Sequence, residues 1–131
     1  MLLVWQPAAA NEWIREITSA LAAGRQLPDP PPEAPQPFSM GHPDLTRQWV
    51  TAAGFGDVSI EGLRQQMWFG KDTHDAVTFL LGLLGWMLRD IDDNTRDRAV
   101  TDLTTRVKAH FGSDGVTYDS ACWLITARHA T

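Results

Sequence analysis

Apolar and polar positions divide the chain into segments of contrasting period. LLVWQ at 2–6 is apolar without alternation, the pattern of a strand covered on both faces. Asn11 is a good N-cap, and Trp13, Ile14, Ile17 and Leu21 behind it form one helical stripe that Gly24 ends. Residues 27–38, LPDPPPEAPQPF, hold six of the eight prolines and exclude a regular helix or a central strand. They predict an extended, polyproline-like loop crossing a surface. The alternative is a linker between two domains, but the 26 residues before it are too few to fold alone.

Residues 42–55 predict a second helix, with Pro43 in its first turn, Leu45, Trp49, Val50 and Ala53 as its apolar stripe, and Gly54 as its stop. DVSIEGL at 57–63 alternates, with Val58, Ile60 and Gly62 on one side, and predicts a strand. Met67, Trp68 and Phe69 then read as an aromatic knot in a loop. Asp72 caps a third helix over 73–89 that is apolar nearly all round, so it is either deeply buried or faces a partner. Asn94 caps a fourth helix, with Val100, Leu103, Val107 and Phe111 spaced to face a core. GSDG at 112–115 is a turn, and 120–128 is a last, apolar strand.

The order is therefore β-α-(Pro loop)-α-β-α-α-β, without internal repeats, and it predicts one α/β domain over 1–131. The pattern alone leaves the pairing of the last two strands open between parallel and antiparallel.

Composition narrows the function. The chain is 44% hydrophobic and 21% charged, which is globular rather than disordered. Six tryptophans against one tyrosine place unusual aromatic bulk in a core, a pocket or an interface. The formal charge of −5, with scattered basic residues, argues against nucleic acid and against anionic membrane surfaces. The longest apolar stretch, 76–88, is shorter than the roughly 20 residues a membrane span needs. One cysteine, Cys122, excludes an intrachain disulfide. With no recognisable signal peptide, the expected compartment is the cytoplasm.

Catalytic and metal motifs find little support. His42, His74, His110 and His129 lack metal spacing, and Asp90, Asp92, Asp93 and Asn94 lack the glycine and the terminal glutamate of a calcium loop. His74 between Asp72 and Asp75 reads better as part of a helix cap than as a general base. No nucleophile-base pair has recognisable spacing, so no catalytic residue is assigned.

PDLTRQWVTAAGFGDVSIEGL, a helix ending in AAGF followed by a turn and an alternating strand, resembles the late part of a class I S-adenosylmethionine-dependent methyltransferase of the small-molecule type. LLVWQP is similar to that family's fifth strand and ACWLITARH to its seventh, which runs antiparallel between the fifth and sixth. The helices within 72–111 resemble an insertion some members carry. The resemblance implies a partial Rossmann-like sheet of about three strands (2–6, 57–63, 120–128), the last one central and antiparallel, with about four helices.

The family's activity is methyl transfer from S-adenosylmethionine to a small organic acceptor, and its cofactor is held mainly by the first four strands. Here Gly54 and Gly56 follow a helix and precede a strand, the reverse of a nucleotide-cradling order. The resemblance thus describes a C-terminal half, and the expectation is a chain that neither binds S-adenosylmethionine nor catalyses alone.

Ligands of open α/β sheets collect at the carboxyl ends of strands, so the resemblance makes Trp5, Gln6 and Asn11 substrate-pocket candidates. The alternative is that Trp5 is core and Asn11 a plain cap. Met67, Trp68 and Phe69 either line an apolar pocket or close the core, and Phe38 and Met40 either lid that pocket or anchor the proline loop. Strand 2–6 would present an open apolar edge, and the cheapest remedy is another chain. The expected partner is a second copy paired through strand 2–6, with helix 73–89 as a second contact. The alternatives are a separate chain carrying the N-terminal half, as in a split enzyme, or a non-catalytic binding and assembly module.

Overall fold

The computed structural model describes residues 1–26 and 36–129. Along the chain run β1 (Leu2–Trp5), α1 (Glu12–Ala22), α2 (Pro43–Ala52), β2 (Phe55–Gly70), α3 (Thr73–Leu84), α4 (Asp93–Ala109), β3 (Phe111–Gly112) and β4 (Gly115–His129). Among the described residues these four helices accompany one open, four-stranded antiparallel sheet. The last strand lies in the middle, in the order β1-β4-β2, and β3 forms a short hairpin with the start of β4. Pairing runs from Leu2 opposite Ile125 to Trp5 opposite Cys122 on one flank. On the other it runs from Phe55 opposite His129 to Gly70 opposite Val116.

Both long strands exceed their predicted spans, and Met67, Trp68 and Phe69 belong to β2 rather than to a loop. The reason is tertiary. β4 continues to Val116 and supplies partners for the polar run Arg64-Gln65-Gln66, which carries no strand signal of its own. An extra residue at Phe69, opposite no single partner on β4, forms a bulge.

The helices differ from expectation mainly at their ends. Asp92, not Asn94, caps α4, its carboxylate accepting from the Thr95 amide at 2.6 Å. Asp72 caps α3 as predicted, accepting from the Asp75 amide at 2.8 Å. α3 stops at Leu84, and Gly85–Leu88 continue as a 3₁₀ turn rather than completing a helix to 89. α1 ends in two left-handed residues, Ala23 and Gly24. The predicted apolar stripe of α2 is not its buried face: Thr46 is its buried residue, its hydroxyl donating to the Met40 carbonyl at 2.9 Å, while Leu45 and Trp49 stay exposed. Phe111 opens β3 and is exposed rather than core. The proline loop lies outside the described residues over 27–35.

The core gathers where α1, α3 and α4 meet the Val116–Tyr118 end of the sheet. Ile17 and Leu21 of α1, Leu80 of α3, and Leu103 and Val107 of α4 are its fully buried aliphatic centre. The apolar face of α3 is only partly used, because Phe79 and Leu83, one turn apart, remain exposed.

Candidate functional site

β1 covers only part of the flank of β4 on which it lies, and the rest is completed by side chains. Beyond Trp5 the chain leaves the sheet through Gln6-Pro7, and the Gln6 amide makes the last strand-like bond, to the Ala121 carbonyl at 2.9 Å. Asn11 then takes the place of a strand. Its Oδ1 accepts from the Ala121 amide at 2.7 Å and from Trp13 Nε1 at 3.2 Å. Its Nδ2 reaches the Ala121, Gln6 and Pro7 carbonyls. Glu12 Oε1 accepts from the Asp119 amide at 3.2 Å, and Thr117 donates to the His110 carbonyl where β3 begins. Asn11 sits at the N-cap position of α1, but its side chain does not cap the helix.

These contacts decide what the predicted pocket residues do. Asn11 is wholly buried, with every polar atom engaged inside the fold. Gln6 is also committed, Nε2 donating to the Cys122 carbonyl at 3.0 Å. Trp5 and Phe38 pack on Trp13, with ring centroids 5.4 and 6.0 Å from it, and Phe69 adds to the same stack at 5.9 Å. Phe38 therefore anchors the exit of the proline loop to the core, with Met40 half-buried beside it. Met67 packs against the core, while Trp68 projects from the opposite face of the sheet and donates Nε1 to the Asp114 carbonyl at 3.0 Å. Neither of the two main surface hollows is lined by any of these residues.

The carboxyl end of β1, where the resemblance puts substrate-pocket candidates, is closely packed. Gly41 is buried against Pro7 so tightly that a Cβ there would lie 2.9 Å from the Pro7 nitrogen. The Gly41 carbonyl accepts from Trp123 Nε1 at 2.7 Å.

The first hollow, of about 370 Å³, is polar and lies between the start of α1 and the β3–β4 hairpin, with Glu12, Gln66, His110, Asp114 and Asp119 in its wall. Its side chains mostly bind the fold itself. His110 Nδ1 is 2.9 Å from the Thr117 carbonyl, an acceptor only, so Nδ1 carries the proton. The imidazole stacks on Tyr118 at 3.8 Å. Glu12 holds the Asp119 amide, and Gln66 donates to the Asp119 carboxylate. Below this seam the Tyr118 phenol is buried without a hydrogen-bond partner among the described residues, and burial, with help from Glu16 and Glu12, pushes its pKa up to about 12. Burial likewise raises the Cys122 thiol.

The second hollow, also about 370 Å³, is apolar, and Met1, Leu2, Trp49, Val50, Phe55 and Ile125 line much of it. Its wall comes from the start of β1, from β4, from the start of β2 and from α2, so it lies on a face of the sheet. The two outer strands of the sheet contrast sharply here. β2 carries the devices that protect an edge: charges at Asp57, Glu61 and Arg64, and a bulge between Gly56 and Ser59 with Asp57 in the left-handed region. β1 carries none of them. It has no charged side chain, no bulge, and apolar residues on both faces, with Leu2 and Leu3 exposed. Sequence reasoning put Trp49 in a helical stripe and Phe55 at the end of helix 42–55; the structure leaves Trp49 exposed on α2 and makes Phe55 the exposed first residue of β2.

Among the described residues no group of three His, Cys, Asp or Glu is placed to hold a metal ion. No described helix is long and apolar enough to cross a membrane. No family model matches the sequence, and no curated protein matches it at a significant level. Fold and surface together define, among the described residues, a mixed α/β unit whose antiparallel sheet has one charged, bulged outer strand and one apolar, uncharged outer strand.

Proposed function

We propose that this chain is a class I methyltransferase-like α/β unit that does not catalyse methyl transfer alone and serves as an assembly module, joining a second copy through the outer edge of β1. The observation that carries the assembly reading is the contrast between the two outer strands. An apolar, uncharged outer strand is a template for another strand, and natural sheets rarely leave one bare. Support for the methyltransferase-like reading comes from the strand order, with the last strand inserted antiparallel between β1 and β2.

The non-catalytic reading rests on the closely packed carboxyl end of β1 and on the commitment of Gln6 and Asn11 to backbone contacts. A chain of this kind holds neither S-adenosylmethionine nor a methyl acceptor at that place. Light scattering coupled to size exclusion tests the assembly, and the expected mass at micromolar concentration is that of two chains. Calorimetry with S-adenosylmethionine and S-adenosylhomocysteine tests the second part, with no heat of binding expected. A monomer removes the assembly reading, and micromolar binding removes the non-catalytic one. A split enzyme, the other arrangement compatible with an open edge, predicts a monomer that binds the cofactor only with a second chain present.

A further inference from the structure

Resting on the assembly reading above, the hydrogen-bond phase of β1 allows the mode of pairing to be derived. The Gln6 amide donates inward, to the Ala121 carbonyl. In an antiparallel ladder the N–H and C=O of one residue point the same way and alternate along the strand. Leu2, Val4 and Gln6 therefore face β4, and Leu3 and Trp5 offer their backbone groups to the outside. Two identical edges pair antiparallel only about a two-fold axis perpendicular to the sheet. Residues directly opposed then share a face, so their numbers sum to an even value.

Few registers remain. Trp5 opposite its copy sets Pro7, which has no N–H, against the outward-facing Leu3. Val4 opposite its copy sets Gln6 against the apolar Leu2. Leu3 opposite its copy gives two bonds between the Leu3 residues and pairs Trp5 with Met1 on either side. Leu2 then opposes Val4, and every opposed pair is apolar on both faces of the sheet. We infer that two copies of this chain join their sheets across β1 with Leu3 on the two-fold axis, forming one continuous antiparallel sheet.

Charge favours a second copy as the occupant. The chain carries −5 overall, but no side chain from Met1 to Asn11 is charged, so the symmetric pair sets no like charges opposite each other. Met1, Leu2 and Leu3, at the start of the chain and of β1, are 87, 47 and 64% exposed, so the pairing covers apolar side chains as well as backbone groups.

Cysteine cross-linking reads the register directly. In a Cys122→Ala background, Leu3→Cys and Val4→Cys variants are oxidised with copper phenanthroline and resolved on a non-reducing gel. With Leu3 on the axis its two Cα atoms lie about 5.5 Å apart, within disulfide range. The two Val4 Cα atoms are offset along the strands to roughly 8 Å, beyond that range. The expected result is a covalent dimer for Leu3→Cys at least ten times more abundant than for Val4→Cys. A dimer by light scattering that cross-links preferentially at Val4, or at neither position, overturns the register. A monomer by light scattering before oxidation overturns the assembly reading itself.

Discussion

Asn11 does the work of a missing stretch of strand. Its carboxamide presents a donor and an acceptor in the spacing of a peptide group, so it satisfies both the amide and the carbonyl of Ala121. Replacing it leaves buried backbone groups without partners, which costs far more than a lost surface contact. Asn11→Ala is expected to lower unfolding stability by about 3 kcal/mol, measured by urea denaturation, a cost that fits loss of a buried hydrogen-bond network. Tyr118 makes the opposite case, a buried polar group with no hydrogen-bond partner among the described residues. It is the only tyrosine, so ultraviolet absorbance follows it alone. Its folded pKa lies above the usual value of 10, at about 12, so its contribution to stability is whole below pH 10 and falls as pH rises from there to about 12. Absorbance in the folded protein should therefore show little tyrosinate at pH 10.5. Tyr118→Phe should remove this pH dependence with no loss of stability at pH 7.

Elements meet at one especially close crossing, where the end of β2 passes the start of β4. Gly115 has φ of +99°, and a Cβ on it would lie 2.4 Å from the Gly70 carbonyl oxygen and 2.7 Å from Trp68 Nε1. Gly70 is pressed in turn against the first turn of α3, where a Cβ would meet the Ala76 nitrogen at 2.6 Å. Gly115→Ala combines backbone strain with a collision against main chain, so thermal unfolding should show a loss of about 3 kcal/mol or more. The GSDG turn was legible from its residues, since Gly and Asp mark it locally. The tightness of the crossing was not, because it depends on a strand more than forty positions earlier.

At the scale of the whole molecule, the two flanks of the sheet have different fates. The β2 flank is charged and bulged, and the β1 flank is smooth and apolar. A charge placed on β1 should copy the protection that β2 already has. Leu3 is exposed in the single chain, so Leu3→Lys should leave its folding intact, with an unchanged circular dichroism spectrum. In the proposed dimer the same substitution should give a monomer in light scattering, because two ammonium groups would face each other on the two-fold axis.

Apolar periodicity by itself placed the four helices, an apolar first strand and, apart from the short β3, the order of elements. Such signals are local: a stripe at i, i+3 and i+4, a capping Asp, a Gly after the last turn. Only tertiary structure decided the rest. Met67, Trp68 and Phe69 became strand because β4 extends past them, with Trp68 on one face and Met67 and Phe69 on the other. Trp5 and Phe38 became core because they stack on Trp13 from segments thirty residues apart. Asn11 became a strand substitute rather than a cap because the partner it satisfies, Ala121, lies 110 positions away. Hydrogen bonding and packing between distant segments outweigh local propensity where a backbone group would otherwise be buried unpaired, and no window of sequence contains both partners.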